Sequence, residues 1–220
     1  MQSEKVVIVV GGDLTDVAAL VRRYATSHRM VGADRGALKL AELLPHFDAA
    51  IGDFDSVTPS EMEDIKKKSL VCRVLPAQKD ETDTEAAIAY AIEMFNPEEI
   101  ILLGVFGGRL DHLMSNLWLA FHPLVKQMTG KVSLIDRHNT LRFYLPGNYV
   151  LKKEEGKKYL SFIGMTPIKK LKLTGVAYPL NGKDYEYPIA LVSNEFKDTE
   201  MTFSFGSGLL AVIQSSDKRE

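Results

Sequence analysis

Six aspartates stand at one recurring kind of place in this sequence. Asp34, Asp53, Asp55, Asp80, Asp83 and Asp111 each come shortly after an apolar, strand-like run, several of them within three residues of a glycine. If those runs are parallel strands, the acidic side chains gather at the edge of a sheet where connecting loops converge. Carboxylates so gathered raise one another's pKa values or repel one another apart unless a cation compensates them. The set has no supporting cysteine or paired histidine, and oxygen-only donors suit a hard ion such as Mg²⁺. A hard divalent ion beside glycine turns points to phosphate chemistry. Each aspartate also has a plainer reading. Asp34 alone reads as a helix cap, and Asp53-Phe54-Asp55-Ser56 equally well as an Asx turn before Pro59. Asp80-Glu81-Thr82-Asp83 reads as a cap with macrodipole charge, and Asp111 as another cap. The plain readings must all hold at one edge, although caps occur there by default.

A second cluster is Gly107-Gly108-Arg109-Leu110-Asp111-His112. Two glycines let backbone approach a ligand closely, and a helix N-terminus behind them favours an anion. His112 and Asn116 are spaced to share a helix face and grip one group. The plainer readings are a satisfied, partly buried His112 and a solvated Arg109. Leu113, Leu117, Trp118 and Phe121 form a stripe that reads as core packing or a subunit contact. The P-loop pattern, the G-x-G-x-x-G fingerprint and the G-x-S-x-G elbow are all missing, as is the protein-kinase set. Cys72 sits inside a strand-like run, where an inert thiol is the better reading.

The elements that must position these residues alternate over the first two-thirds of the chain. Strands are expected over 5–10, 29–33, 47–51, 70–75 and 100–105. Helices are expected from about 15, over 37–44, from Pro59, over 82–95, and from Gly108 through about 121. That alternation predicts a parallel sheet with helices on both faces. Beyond 131–135 helical periodicity stops, and six short strand patterns follow over 141–145, 149–152, 159–163, 170–174, 201–205 and 209–214. Turn signals at Pro146-Gly147-Asn148, Asn181-Gly182 and Gly206-Ser207-Gly208 separate some of them. The fold class is therefore α/β: a parallel-sheet α/β/α domain over 1–136, then a smaller antiparallel β-sandwich over 137–220. With 220 residues the chain is long enough to bury both cores, and 27 basic against 29 acidic residues leave a net charge of −2. That balance argues against a general nucleic-acid binder. A lone cysteine, no membrane-length apolar run and no secretion-type leader point to a soluble cytoplasmic protein.

In this order and spacing, Gly52-Asp53-Phe54-Asp55-Ser56, Lys79-Asp80-Glu81-Thr82-Asp83 and Gly107-Gly108-Arg109-Leu110-Asp111-His112 closely resemble the motifs of the thiamine pyrophosphokinase family. Ser193-Asn194 resembles a later motif, and Asp34 sits in what looks like the family's Ala-Asp-x-Gly turn, with Arg35 at the variable position. The resemblance implies a homodimer with its active site shared across the interface. It also implies transfer of the pyrophosphoryl group of ATP to the thiamine hydroxyl, giving thiamine diphosphate and AMP. By resemblance, Asp53, Asp55 and Asp83 hold Mg²⁺, with Asp80 on the metal or just outside it. Asp111 accepts a hydrogen bond from the attacking hydroxyl or deprotonates it. Gly107, Gly108, His112 and Asn116 serve the nucleotide, Lys79 the transferring phosphates, and Asp34 the substrates. Ser193 and Asn194 contact thiamine from the partner, and Tyr178 is either a stacking aromatic or a core or hairpin residue. Two rival readings remain: a Mg²⁺-dependent phosphohydrolase using Asp53 and Asp55, and a non-catalytic vitamin-binding dimer.

Overall fold

Apart from an exposed strand at the sheet's edge, the strands of the first part are buried along almost their whole length, as strands covered on both faces must be. In β1 (Lys5–Val9), Val6 to Val9 are fully buried. It is flanked by β2 (Arg29–Ala33) and β5 (Glu99–Leu103). β3 (Phe47–Gly52), β4 (Ser69–Val74) and β6 (Val132–Ile135) complete a parallel sheet in the order β6-β5-β1-β2-β3-β4. The computed structural model describes residues 4–78 and 80–217, and it divides into two compact units after Arg137. The sheet belongs to the first unit.

Among the described residues, six α-helices connect these strands: α1 (Val17–Tyr24), α2 (Arg35–Leu43), α3 (Pro59–Lys68), α4 (Asp83–Phe95), α5 (Leu110–Trp118) and α6 (Pro123–Gln127). Their starts follow local chemistry. Thr58 and Thr82 each accept a hydrogen bond from the N–H three residues on, and Glu61 and Glu85 accept one back from the cap's own N–H. These reciprocal capping boxes satisfy backbone donors that a helix start leaves free. Asn96 ends α4 in the left-handed conformation, with φ of 42°. The helix expected to run through 121 stops at Trp118, tightens into a 3₁₀ turn over Leu119–Phe121, and restarts at Pro123. Pro123 holds φ for the first turn of α6 and restricts His122 to extended backbone.

Among the described residues, the second unit, from His138 onward, contains eight antiparallel strands: β7 (Asn139–Tyr144), β8 (Gly147–Lys152), β9 (Tyr159–Gly164), β10 (Ile168–Thr174), β11 (Leu180–Tyr185), β12 (Ile189–Glu195), β13 (Glu200–Phe205) and β14 (Leu210–Ser215). β12-β9-β14-β7 form one sheet and β11-β10-β13-β8 the other. Phe162 and Leu210 from the first sheet share a core with Leu171, Met201 and Phe203 from the second. Phe162 and Phe203 meet edge to face with centroids 5.7 Å apart. The sequence pattern gave six strands here; β11 and β12 are the additions. β11 contains the Asn181-Gly182 pair that reads as a turn, and it pairs with β10 through shifted register. No helix among the described residues is long and apolar enough to cross a membrane.

Candidate active site

The C-terminal ends of β1, β2, β3 and β5 open onto a cleft of about 810 Å³, lined by residues of the loops that follow them and by the N-termini of α2, α4 and α5. A volume of this size accommodates a nucleotide-sized ligand.

Asp34 sits at its heart, between β2 and α2. Its backbone lies at φ 47° and ψ −120°, unusual for any residue but glycine. The turn is fastened on both sides: Asp34 N–H donates to Ile51 O, and Asp34 O accepts from Ala37 and Leu38. Its carboxylate accepts a hydrogen bond from Phe54 N–H at 3.2 Å. Ligand oxygens of Asp34, Asp53 and Asp83 all lie within 4.8 Å of one another. Burial pushes the Asp34 carboxyl up to about 7, helped by a hydrogen bond with Asp83 and the charges of Asp83 and Asp53; only Phe54 N–H opposes this. Burial and the two neighbouring carboxylates thus disfavour ionisation of Asp34, which a divalent cation reverses. Their oxygen-only donor set fits a hard ion.

Other residues of the motifs fall around this centre. Asp53 also makes the Asx turn, its Oδ1 accepting from Asp55 N–H at 3.1 Å. Asp55 is exposed and lines the same cleft, but the carboxylate that joins Asp53 and Asp83 is that of Asp34. Asp80 is exposed ahead of α4, and Lys79 lies outside the described residues. Gly107 and Gly108 both have positive φ, 79° and 69°, which lets the loop double back over the cleft. Arg109 grips Asp111 with two hydrogen bonds, 3.2 and 2.6 Å. That pairing, with His112 N–H donating to Asp111 at 3.0 Å, holds the Asp111 carboxyl down at about 2. Arg109 is thus committed to a carboxylate, not merely solvated. His112 is exposed in the cleft, whereas Asn116 is buried and donates to Val105 O at 3.0 Å, tying α5 to the end of β5.

Ser193 and Asn194 lie in the second unit, on β12, at a break in its register with β9. Ser193 is exposed, with φ of 58°, and its N–H donates to Ser161 Oγ at 3.2 Å. Asn194 is buried and fully engaged. Its Oδ1 accepts from Tyr178 N–H at 3.0 Å and Glu195 N–H at 2.9 Å, and its Nδ2 donates to Tyr178 O at 3.0 Å. Tyr178 itself is 69% exposed, which removes the core reading for its ring.

Two domains match successive parts of the chain: "Thiamin pyrophosphokinase, catalytic domain" over residues 20–132 and "Thiamin pyrophosphokinase, vitamin B1 binding domain" over residues 148–210. The chain is 35% identical over 218 residues to the thiamine pyrophosphokinase of Bacillus subtilis strain 168, covering 97% of this chain and 100% of that one. It belongs to the thiamine pyrophosphokinase family. Among solved structures, a family protein from Enterococcus faecalis superposes with a TM-score of 0.91 at 38% identity, covering 98% of this chain and 100% of that one. The Bacillus subtilis enzyme superposes at 0.84 with 33% identity, covering 97% and 100%. The parallel-then-antiparallel architecture is therefore that of thiamine pyrophosphokinases, and the chain is an enzyme of this class.

Sequence reasoning missed several residues that line the thiamine pyrophosphokinase cleft: Gly11, Gly12, Arg35, Thr84 and Ser115. Arg35 donates to Ser56 O at 3.0 Å and so braces the Asp53–Ser56 turn from α2. Gly11-Gly12 after β1 was legible, since a glycine pair ending a buried strand at a converging edge carries the same signal as Gly107-Gly108.

Proposed function

We propose that the chain transfers the pyrophosphoryl group of ATP to the hydroxyl of thiamine, giving thiamine diphosphate and AMP, with Mg²⁺ as the metal. The observation that carries the reading is the trio Asp34, Asp53 and Asp83, drawn from three separate loops into one nucleotide-sized cleft. In this reading these carboxylates hold the metal, with Asp55 and Asp80 at its margin. Bound there, Mg²⁺ neutralises phosphate oxygens and fixes them for in-line attack. The chain's own groups do the rest. The N-termini of α4 and α5 present their positive ends to phosphate, and the loop at Gly107 and Gly108 closes backbone N–H groups on it. Lys79 neutralises further negative charge on the transferring phosphates, and His112 contacts the nucleotide. Asp111, held low by Arg109, stays ionised at neutral pH; it orients the thiamine hydroxyl by accepting its hydrogen bond. A carboxylate so weakly basic is poorly matched to removing the proton outright.

The first unit, to Arg137, is read as the ATP and metal domain and the second, from His138, as the thiamine-binding and dimerising domain. The protein works as a homodimer whose active site is completed by the second copy through Ser193, with the buried Asn194 holding the adjoining Tyr178 backbone. The lone thiol Cys72 fits a reducing, cytoplasmic setting. The test is a product assay with thiamine, ATP and Mg²⁺ that separates AMP, ADP and free phosphate. Thiamine-dependent AMP with thiamine diphosphate is the expected result. ADP would mean single-phosphoryl transfer at the same cleft, and thiamine-independent phosphate would favour hydrolysis at Asp53 and Asp55. Sedimentation of the full chain as a dimer tests the assembly.

A further inference from the structure

We infer that Gly52 is a positioning residue for the acidic site, and that its missing side chain is the space the Asp34 carboxylate occupies. A Cβ at Gly52 would stand 2.1 Å from Asp34 Oδ1, 3.0 Å from its Cγ and 3.2 Å from its backbone N. The nearest obstacle is thus the working end of a side chain, so relief comes by swinging that carboxylate away. The neighbouring geometry shows how little other room it has. Phe54 N–H donates to the same Oδ1, and Asp34 N–H is fixed to Ile51 O, immediately before Gly52. Phe54 supplies that donor from a positive φ of 57°, an outlier for a bulky residue. Its ring, 6% exposed, is anchored in the core of the first unit, which holds the strained turn in place. The turns after β2 and β3 are therefore built around one carboxylate. Gly52 leaves the volume, Phe54 gives the hydrogen bond, and Asp53 is carried between them towards Asp34 and Asp83.

Gly52 touches no reacting atom, and its effect runs through Asp34. The consequence for metal binding rests on the reading of Asp34, Asp53 and Asp83 as the metal site. Groups that orient metal ligands typically alter affinity about 10–100-fold, and Gly52→Ala is expected to raise the Mg²⁺ concentration for half-saturation by that order.

The experiment is a double-substitution cycle read by thermal unfolding without metal, paired with a Mg²⁺ binding titration by calorimetry. Gly52→Ala is placed in the wild type, in Asp34→Asn, which keeps the obstructing shape, and in Asp34→Ala, which removes it. The φ of 155° at Gly52 adds any cost independent of Asp34 to all three backgrounds, and the cycle subtracts it. The expected result is a fall in Tm with Asp34 or Asn at that position and a markedly smaller fall with Ala, together with weakened Mg²⁺ binding by Gly52→Ala alone. If Gly52→Ala does not fold, recovery of folding in the double variant with Asp34→Ala gives the same answer, and failure of both overturns the inference. Equal falls in all three backgrounds also overturn it. Asp83→Asn in the same titration separates the two layers. If it weakens Mg²⁺ binding and Gly52→Ala does not, the positioning role fails; if neither does, the metal site itself is wrong.

Discussion

Asp34 carries a carboxyl that folding makes harder to ionise. Its pKa rises from an ordinary 3.8 to about 7, first through burial and then through Asp83. Between those two values the folded state binds more proton than the unfolded one, so this group's contribution to stability is present below about pH 4 and is lost as pH rises through 7. Metal-free protein should therefore show a Tm that declines over this window, and Asp34→Asn should flatten the decline. Added Mg²⁺ should raise Tm more at pH 8 than at pH 5, because at the lower pH it competes with the bound proton. Thermal melts with and without chelator check both signs. Asp53→Asn and Asp83→Asn should each cut kcat at least about 100-fold. Each should leave the metal-free Tm at pH 8 unchanged or higher, since repulsion is removed along with function. At this scale the sequence showed which loops carry acids, but not which acids meet. Asp53 and Asp55 are close in sequence, yet Asp55 stays exposed on the cleft's wall and the carboxylate that joins Asp53 is Asp34, from another loop. The choice between Asx turn and acidic cluster was also false for Asp53, which makes the turn and joins the trio.

Among the elements, α4 links stability to the site most directly. Its capping box joins Thr82 to Glu85, and its first residue is Asp83. Thr82→Ala should cost about 1 kcal/mol of stability through the lost cap and should also raise the Mg²⁺ requirement by loosening Asp83. Thr58→Ala removes the matching cap of α3 and should lower stability by a similar amount with no such shift. Chemical denaturation and a Mg²⁺ titration of both variants decide this. Capping boxes, buried strands and the alanine-rich α4 were legible because their signals are local. β11 and β12 were not. β11 is exposed over most of its length, β12 is broken at Ser193, and both are held by pairing partners that no local pattern announces.

For the whole molecule, the change from helix-bearing to strand-only texture near residue 136 was visible because the two architectures have different periods, 3.6 against 2. The roles of Ser193 and Asn194 were less legible, since adjacent residues in one motif do different work. Asn194→Ala orphans the backbone of Tyr178 and should lower Tm, costing about 1–3 kcal/mol. Ser193→Ala should leave Tm alone and raise the KM for thiamine more than that for ATP. Steady-state kinetics with each substrate varied separates these outcomes. One last feature bears on how the protein behaves in bulk. β4 bonds to β3 on one side and ends the sheet on the other, with Leu70 73% and Val74 58% exposed. Such an edge is a template for further chains, and basic side chains are a common guard against that. Lys66 and Lys67 lead into it, and Arg73 lies within it, over the Tyr90 ring at 4.7 Å. Neutralising these three should leave folding intact yet produce light scattering that grows with protein concentration. How crowded a solution this enzyme tolerates should then depend on three cations at the rim of the sheet, on and beside the strand that pairs with β3.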